Sequence, residues 1–176
     1  MTLSDLASLG SFISGVAVLV SLIYLSLQIR QAEKNQQATI RAARAGRMIE
    51  MNIAAMDPLN AEAIAKGSTG APDMTPTEYA QFASFCRASF VNAEDTYFQH
   101  KQGLLADEAF QSFRANVRAW SRQPGLPAFW QRHKAFYVPE FAQWLDETIS
   151  DVRLDPPGDA LAQWKADVEA LKARNR

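Results

Sequence analysis

The chain has 176 residues, with 18 Lys and Arg against 19 Asp and Glu, a single cysteine and 48% hydrophobic residues. This length suits one domain with an appendage. The near-zero net charge argues against a nucleic-acid partner, because general nucleic-acid binders carry a strong basic excess. The lone thiol of Cys86 excludes an internal disulfide framework and fits a reducing compartment.

Residues 6–29 hold no charged side chain and predict a transmembrane helix. As a helix, these 24 residues extend about 36 Å, which is enough to cross a hydrocarbon layer of ~30 Å with some tilt. A cleaved signal peptide is the competing interpretation, but it needs a basic N-terminal region and a shorter apolar run. The first charge is Asp5 and the first cation is Arg30, so we expect a retained anchor that contacts membrane lipid.

Basic residues lie on one side of this span and predict its orientation. The five that follow it are Arg30, Lys34, Arg41, Arg44 and Arg47. None precedes it. By the positive-inside rule, we expect the N-terminus outside and the C-terminal part in the cytoplasm.

Small and polar residues share one face of the span. We call this face the seam, and its members are Ala7, Gly10, Ser14, Ala17, Ser21 and Gln28. Their spacings of three and four residues place them on one side of a helix, and the same spacing includes Tyr24, Gln31 and Asn35. Small residues let helix backbones approach closely, so the seam predicts association in a homo-oligomer or with other membrane subunits. The alternative is that small residues are simply frequent in membrane helices.

The rest of the chain predicts an all-α fold. Alternating runs of β-branched residues are missing from the sequence, whereas helix caps and helix breakers are frequent. We expect an N-terminal tail and transmembrane helix over 1–30, a stalk helix over 31–56, a compact helical domain over 57–154 and a C-terminal amphipathic helix over 155–176.

Proline, glycine and capping residues predict the bounds of the helices in the domain. A capping box of Thr75 and Glu78 begins the second of them. The expected helices are Pro58–Lys66 with a stop at Gly67, 75–103 with a stop at Gly103, Asp107–Arg122, 127–137, 139–153, and a final helix capped by Asp159.

Several short motifs are distributed along the chain. They are Tyr24–Gln31 at the end of the span, Gln102–Leu105 with Asp107-Glu108, Gln123–Gly125, Phe129-Trp130 and Pro139–Phe141. With the short N-terminal tail, they resemble a widespread group of uncharacterised bacterial single-pass membrane proteins. The resemblance covers residues 3–152 and implies a bacterial inner-membrane protein with a helical cytosolic domain, without implying an activity.

The sequence has no pattern that predicts catalysis or metal binding. His100 and His133 lie outside any metal-ligand or paired-cysteine pattern, and no Gly-rich phosphate loop is present. His100 ends an apolar stripe that includes Cys86, so we expect a half-buried histidine and a core thiol. We therefore predict a protein without a cofactor or a catalytic site.

Six aromatic residues cluster near the end of the domain. They are Phe129, Trp130, Phe136, Tyr137, Phe141 and Trp144. We expect them to fill the core against an apolar stripe that ends at Trp120. The alternative is an apolar ligand pocket or a groove for a partner.

Charge is segregated in the same region. Between Ala109 and Pro139 there are five cations and no carboxylate, and between Glu140 and Glu169 there are eight acids and two cations. Arg114, Arg118 and Arg122 follow one another at steps of four on one side of a helix. We expect them to pair with the acidic stretch, and the alternative is an anion or partner contact.

These features predict a non-enzymatic, membrane-anchored helical protein that associates through its span, as a homo-oligomer or as an accessory subunit of a membrane assembly. One alternative is a homo-oligomeric pore lined by Ser14, Ser21 and Gln28. The other is a membrane-tethered sensor or enzyme for an anionic, apolar ligand bound in the aromatic region.

Overall fold

The computed structural model describes residues 3–155 and 160–174, and over these residues the protein is all-α. This confirms the predicted fold class, with one long N-terminal helix followed by a helical domain. The helices are α1 (Leu3–Ala55), α2 (Pro58–Thr69), α3 (Pro76–Lys101), α4 (Asp107–Trp120), α5 (Gly125–His133), α6 (Pro139–Ile149) and α7 (Ala160–Arg174). A 3₁₀ turn, Lys134–Phe136, joins α5 to α6.

Helix α1 is unbroken, so the predicted span and stalk are one helix of 53 residues. It ends where the carboxylate of Asp57 accepts hydrogen bonds from the backbone N–H groups of Leu59 and Asn60, at 3.0 and 3.4 Å. Asp57 thereby caps α2, and Pro58 occupies a first-turn position where no N–H is needed. The chain divides into two compact units, Met1–Met48 and Ile49–Arg176.

The predicted stop of the next helix at Gly67 is wrong. Helix α2 continues through Gly67 to Thr69 and ends at Gly70, whose φ of 70° is the left-handed conformation that favours glycine. A Cβ atom on Gly67 would lie 2.1 Å from Cγ of Phe82. Glycine is therefore needed at position 67 for the close approach of α2 to α3, and it does not end the helix.

The predicted capping box at the start of α3 is confirmed. The backbone N–H of Glu78 donates to Oγ1 of Thr75 at 3.3 Å, and the backbone N–H of Thr75 donates to the Glu78 carboxylate at 2.7 Å. The same carboxylate accepts a hydrogen bond from Lys66 of α2 at 2.7 Å. The box therefore joins the end of α2 to the start of α3.

The Glu78 carboxylate makes a pH-dependent contribution to stability. Hydrogen bonds from Lys66 and Thr75 lower its pKa from 4.5 to about 2. Because the folded-state pKa is the lower one, this stabilisation is complete above pH 4.5 and is lost as the pH falls towards 2. Glu78→Gln keeps a capping-box side chain but carries no charge. We therefore expect a smaller loss of thermal stability between pH 4.5 and 2 in the variant than in the wild type. Parallel pH profiles of the melting temperature would contradict the pairing.

The later helices begin and end at residues other than those predicted. Helix α4 ends at Trp120 rather than Arg122, α5 begins at Gly125 rather than Pro127, and α6 ends at Ile149 rather than residue 153. Pro127 lies inside the first turn of α5, where backbone N–H groups have no intrahelical partner, so proline is tolerated there. The expected cap of α7, Asp159, lies outside the described residues.

The core of the domain is built around α3, α5 and α6. Its buried members are Phe82, Ala83, Cys86, Phe90, Ala93, Val117, Leu126, Phe129, Trp130, Phe141 and Leu145. Five of the six clustered aromatic residues are buried or packed against this core, which confirms the prediction for them. Phe136 is 83% exposed and Trp120 is 36% exposed, so the prediction that these two fill the core is wrong.

Candidate functional site

Helix α1 is long and apolar enough, over Gly10–Ala55, to cross a membrane. Its most apolar window of 18 residues has a mean hydropathy of 2.1, and none of that window is buried inside the protein. An apolar helix in the core of a soluble domain would be covered by its neighbours, whereas Phe12, Leu19 and Ile23 are all more than half exposed. The apolar surface of this window of α1 therefore lacks a cover within the described part of the chain.

The described seam residues are exposed along α1, from Gly10 to Gln28. A Cβ atom on Gly10 would meet nothing within 4 Å, so the chain itself does not occupy the space beside it. Ser14 and Ala17 are exposed on the same face. The side chain of Ala7 lies outside the described residues.

The polar groups of the seam bond to their own helix. Oγ of Ser21 donates to the carbonyl of Ala17 at 2.8 Å, and Nε2 of Gln28 donates to the hydroxyl of Tyr24 at 2.8 Å. A hydroxyl that bonds to the carbonyl four residues earlier has its donor satisfied without water. The Ser21 side chain can therefore lie in an apolar contact at a low desolvation cost, whereas the Gln28 amide keeps a second N–H and a carbonyl oxygen that need partners.

Arg118 of α4 and Arg122, just beyond its end, pair with the acidic stretch, as predicted. The guanidinium of Arg118 donates to both carboxylate oxygens of Asp151, at 2.7 and 3.1 Å, and to the carbonyl of Thr148 at 2.6 Å. The hydrogen bond from Arg118 lowers the pKa of Asp151, and the nearby charge of Arg114 adds to this effect. Nε of Arg122 lies 3.2 Å from Oδ1 of Asp155. An anion at this site would compete with carboxylates of the domain itself.

The histidines are held by local packing. The ring of His100 stacks on Phe110 with centroids 3.9 Å apart, and its Nε2 lies 2.9 Å from Oδ1 of Asp107. His133 stacks on Phe129 at 3.9 Å, and its Nδ1 lies 2.8 Å from the carbonyl oxygen of that residue. His100 is half-buried, as predicted. Within residues 3–155 and 160–174, no group of three or more His, Cys, Asp or Glu side chains could hold a metal ion.

The thiol of Cys86 lies in the core and is fully buried. Burial raises its pKa to about 12, so the thiol stays protonated at neutral pH. Because the thiolate is the nucleophile, this side chain is unreactive in the folded domain. The prediction of a core thiol is confirmed.

A groove that the sequence did not predict lies between the end of α1, α2 and α3. It has a volume of about 430 Å³. Its lining is Met51, Ala54, Ala55, Asn60, Ile64, Thr77, Ala80, Gln81, Ser84, Phe85 and Ala88. None of the six clustered aromatic residues contributes to it. The only sequence signal is the run of small side chains at Ala80, Ser84 and Ala88, one helical turn apart on α3.

The structure therefore offers two candidate surfaces: the seam of α1 and the groove at the start of α3. Comparisons of the chain with protein families, with curated proteins and with solved structures give no match.

Proposed function

We propose that this protein is a non-enzymatic membrane anchor, which associates through the seam of α1 either as a homo-oligomer or as an accessory subunit of a membrane assembly. The observation that carries the proposal is the uncovered apolar surface of α1, sorted into a face of small residues and faces of large ones. The large side chains suit lipid, which adapts to any shape. The small side chains leave a flat strip that a second helix can approach closely.

The hydrogen bonds within α1 favour a packed seam over a pore. In a pore, the hydroxyl of Ser21 and the amide of Gln28 would face water and conducted ions. Both groups instead donate to their own helix. A dry helix contact gains from this arrangement, because the Ser21 hydroxyl then needs no partner outside its own helix.

The aromatic region gives little support to a sensor or enzyme for an anionic, apolar ligand. Trp130 and Phe141 are fully buried, and each packs against other core rings. A ligand there would have to displace parts of a close-packed core.

Bulky substitutions in the seam should weaken association. We expect Ser14→Leu and Ala17→Phe to reduce crosslinked oligomers in membranes, because a larger side chain separates the two helix backbones. The matched changes Val16→Leu and Val20→Phe lie on a lipid-facing side and should have little effect. Crosslinking of the full-length protein in membranes measures association, and ion flux into liposomes measures conduction.

The two readouts separate the candidates. We expect sensitivity to seam substitutions and no ion flux. Flux that Ser21→Leu abolishes would support the pore instead. If the bulky substitutions in the seam and on the lipid-facing side both left crosslinking unchanged, α1 would be a plain anchor without an association face.

The proposal places the protein in a bacterial inner membrane, with its N-terminus outside and its helical domain in the cytoplasm. Five cations follow the span within twenty residues and none precedes it, which supports this orientation by the positive-inside rule. The bacterial assignment rests on the resemblance of the sequence motifs alone.

Cysteine labelling of intact cells tests the orientation. We expect Thr2→Cys to react with a membrane-impermeant thiol reagent and Asp73→Cys, in the exposed loop between α2 and α3, to stay unlabelled until the cells are opened. The native Cys86 is fully buried, so wild-type cells give the background. Labelling of Asp73→Cys in intact cells, with Thr2→Cys silent, would reverse the topology.

A further inference from the structure

Helix α7 carries a regular apolar stripe outside the core of the domain. Its members, at steps of three, four and three residues on one side of the helix, are Leu161, Trp164, Val168 and Leu171. Trp164 is 61% exposed and Leu171 is 57% exposed. None of the four belongs to the domain core or is packed against it.

A helix as short as α7 depends on the packing of its apolar face. It has 15 residues. Isolated helices shorter than about 12–15 residues are marginal in water, and most helical stability in proteins comes from tertiary packing. Tryptophan and leucine side chains also gain free energy when they leave water. The stripe of α7 therefore indicates a helix that packs against a partner.

The spacing of the stripe is that of a two-stranded coiled coil. In the heptad abcdefg, Leu161 and Val168 take a positions, and Trp164 and Leu171 take d positions. A β-branched residue at a with leucine at d, as at Val168 and Leu171, favours two strands. Two heptads form only a short coiled coil, so its stability depends on a tether that raises the local concentration.

The charges beside the stripe are complementary to a second copy of α7. Asp167 takes a g position and Lys172 takes an e position. In a parallel pair, a g residue lies beside the e residue five positions later in the other helix, so Asp167 would meet Lys172 of the second copy, twice by symmetry. An antiparallel pair that aligns Leu161 with Leu171 would instead bring Asp167 near Asp167 and Lys165 near Lys165. Like charges are unfavourable, so the pattern selects the parallel pair.

We propose that α7 pairs with α7 of a second copy of this chain in a parallel, two-stranded coiled coil. This inference rests on the proposed association through the seam, which it assigns to a homo-oligomer. Two copies anchored by the same span present α7 on the same side of the membrane, and this raises the local concentration that two heptads need. In the single chain, Lys172 lies 2.8 Å from Glu169, and such an exposed pair costs little to exchange.

Single-cysteine crosslinking of the full-length protein in membranes tests the pairing. Leu161→Cys places a thiol at an a position, and Ala166→Cys places one at an f position, on the outer side of α7. With a mild oxidant, we expect disulfide dimers of Leu161→Cys to form at least about tenfold faster than those of Ala166→Cys, because only the a position meets its own copy. The thiol of Cys86 is fully buried and should form none.

Exchange of the two flanking charges tests the orientation. In the Leu161→Cys background, Asp167→Lys alone and Lys172→Asp alone each bring like charges together, and we expect each to slow crosslinking about threefold. The combined variant restores opposite charges in a parallel pair, so it should crosslink faster than either single variant. Independent effects on the helix itself would add instead. A combined variant that is no faster than the single variants would therefore overturn the parallel pairing.

Ala17→Cys in the seam separates this inference from the proposed function. Crosslinking at Ala17, with equal rates or no crosslinking at the two α7 positions, would overturn the coiled coil and leave association through the span intact. An absence of crosslinking at all three positions would overturn both. Crosslinking at Leu161 without crosslinking at Ala17 would support the pairing of α7 and overturn the seam. Products of Leu161→Cys with a chain of another mass would overturn the pairing of two copies.

Discussion

Trp130→Ala should lower the free energy of unfolding of the helical domain by about 3–5 kcal/mol. The indole of Trp130 is fully buried, and its Nε1–H donates to Asp146 at 2.8 Å. Its ring lies 5.1 Å from that of Phe90 and 5.2 Å from that of Tyr137, between centroids. Alanine would leave a cavity in the centre of the core and remove one hydrogen bond to Asp146.

Labelling of the native Cys86 can measure the unfolding of this domain. Because Cys86 is fully buried in the same core, its thiol can react only when the domain opens. The labelling of Cys86 in detergent-solubilised, full-length protein across a denaturant series therefore reports the unfolding of this domain without interference from α1.

Trp120→Ala is the matched control. Trp120 is 36% exposed, although the spacing in α4 had predicted a core position. We expect Trp120→Ala to lower the free energy of unfolding by less than about 1 kcal/mol, as surface substitutions do. Similar losses for Trp120→Ala and Trp130→Ala would contradict the packing described here.

Gly125→Ala should lower the free energy of unfolding by about 3 kcal/mol, at the upper end of overpacking effects. The first residue of α5 lies against the backbone of α2, where a Cβ atom on Gly125 would be 1.9 Å from the carbonyl oxygen of Gly67. A clash with a flexible side chain can be relieved by a new rotamer. A clash with the backbone of a helix requires the two helices to separate.

The other helical glycines calibrate this effect in the same labelling assay. Gly46→Ala, in α1, adds a methyl group that meets nothing within 4 Å, so we expect no change in the labelling of Cys86. Gly67→Ala clashes with the ring of Phe82 and should lose stability, because that ring is itself buried in the core. If Gly125→Ala resembled Gly46→Ala, the close contact between α2 and α5 would be absent.

The sequence predicted the fold class and the long helix α1 because both depend on local signals. The uncharged run, the capping box at Thr75 and the break at Pro58 act within one or two helical turns. The pairing of Arg118 and Arg122 with the acidic stretch was also predictable, since opposite charges were concentrated in neighbouring segments. The seam depends on spacing along a single helix and is likewise readable from sequence.

Only the tertiary structure decided which residues meet across helices. Gly67 was read as the stop of a helix and Gly125 was placed outside the predicted helices, yet both permit α2, α3 and α5 to approach closely, and this role depends on neighbours distant in sequence. Trp120 and Trp130 carry the same side chain, and the orientation of α4 and α5 places the first at the surface and the second in the core. The groove formed by α2, α3 and the end of α1 also depends on tertiary packing, because its lining combines residues from three helices. Sequence periodicity identifies the apolar face of a helix, but the partner of that face depends on the packing of the whole domain.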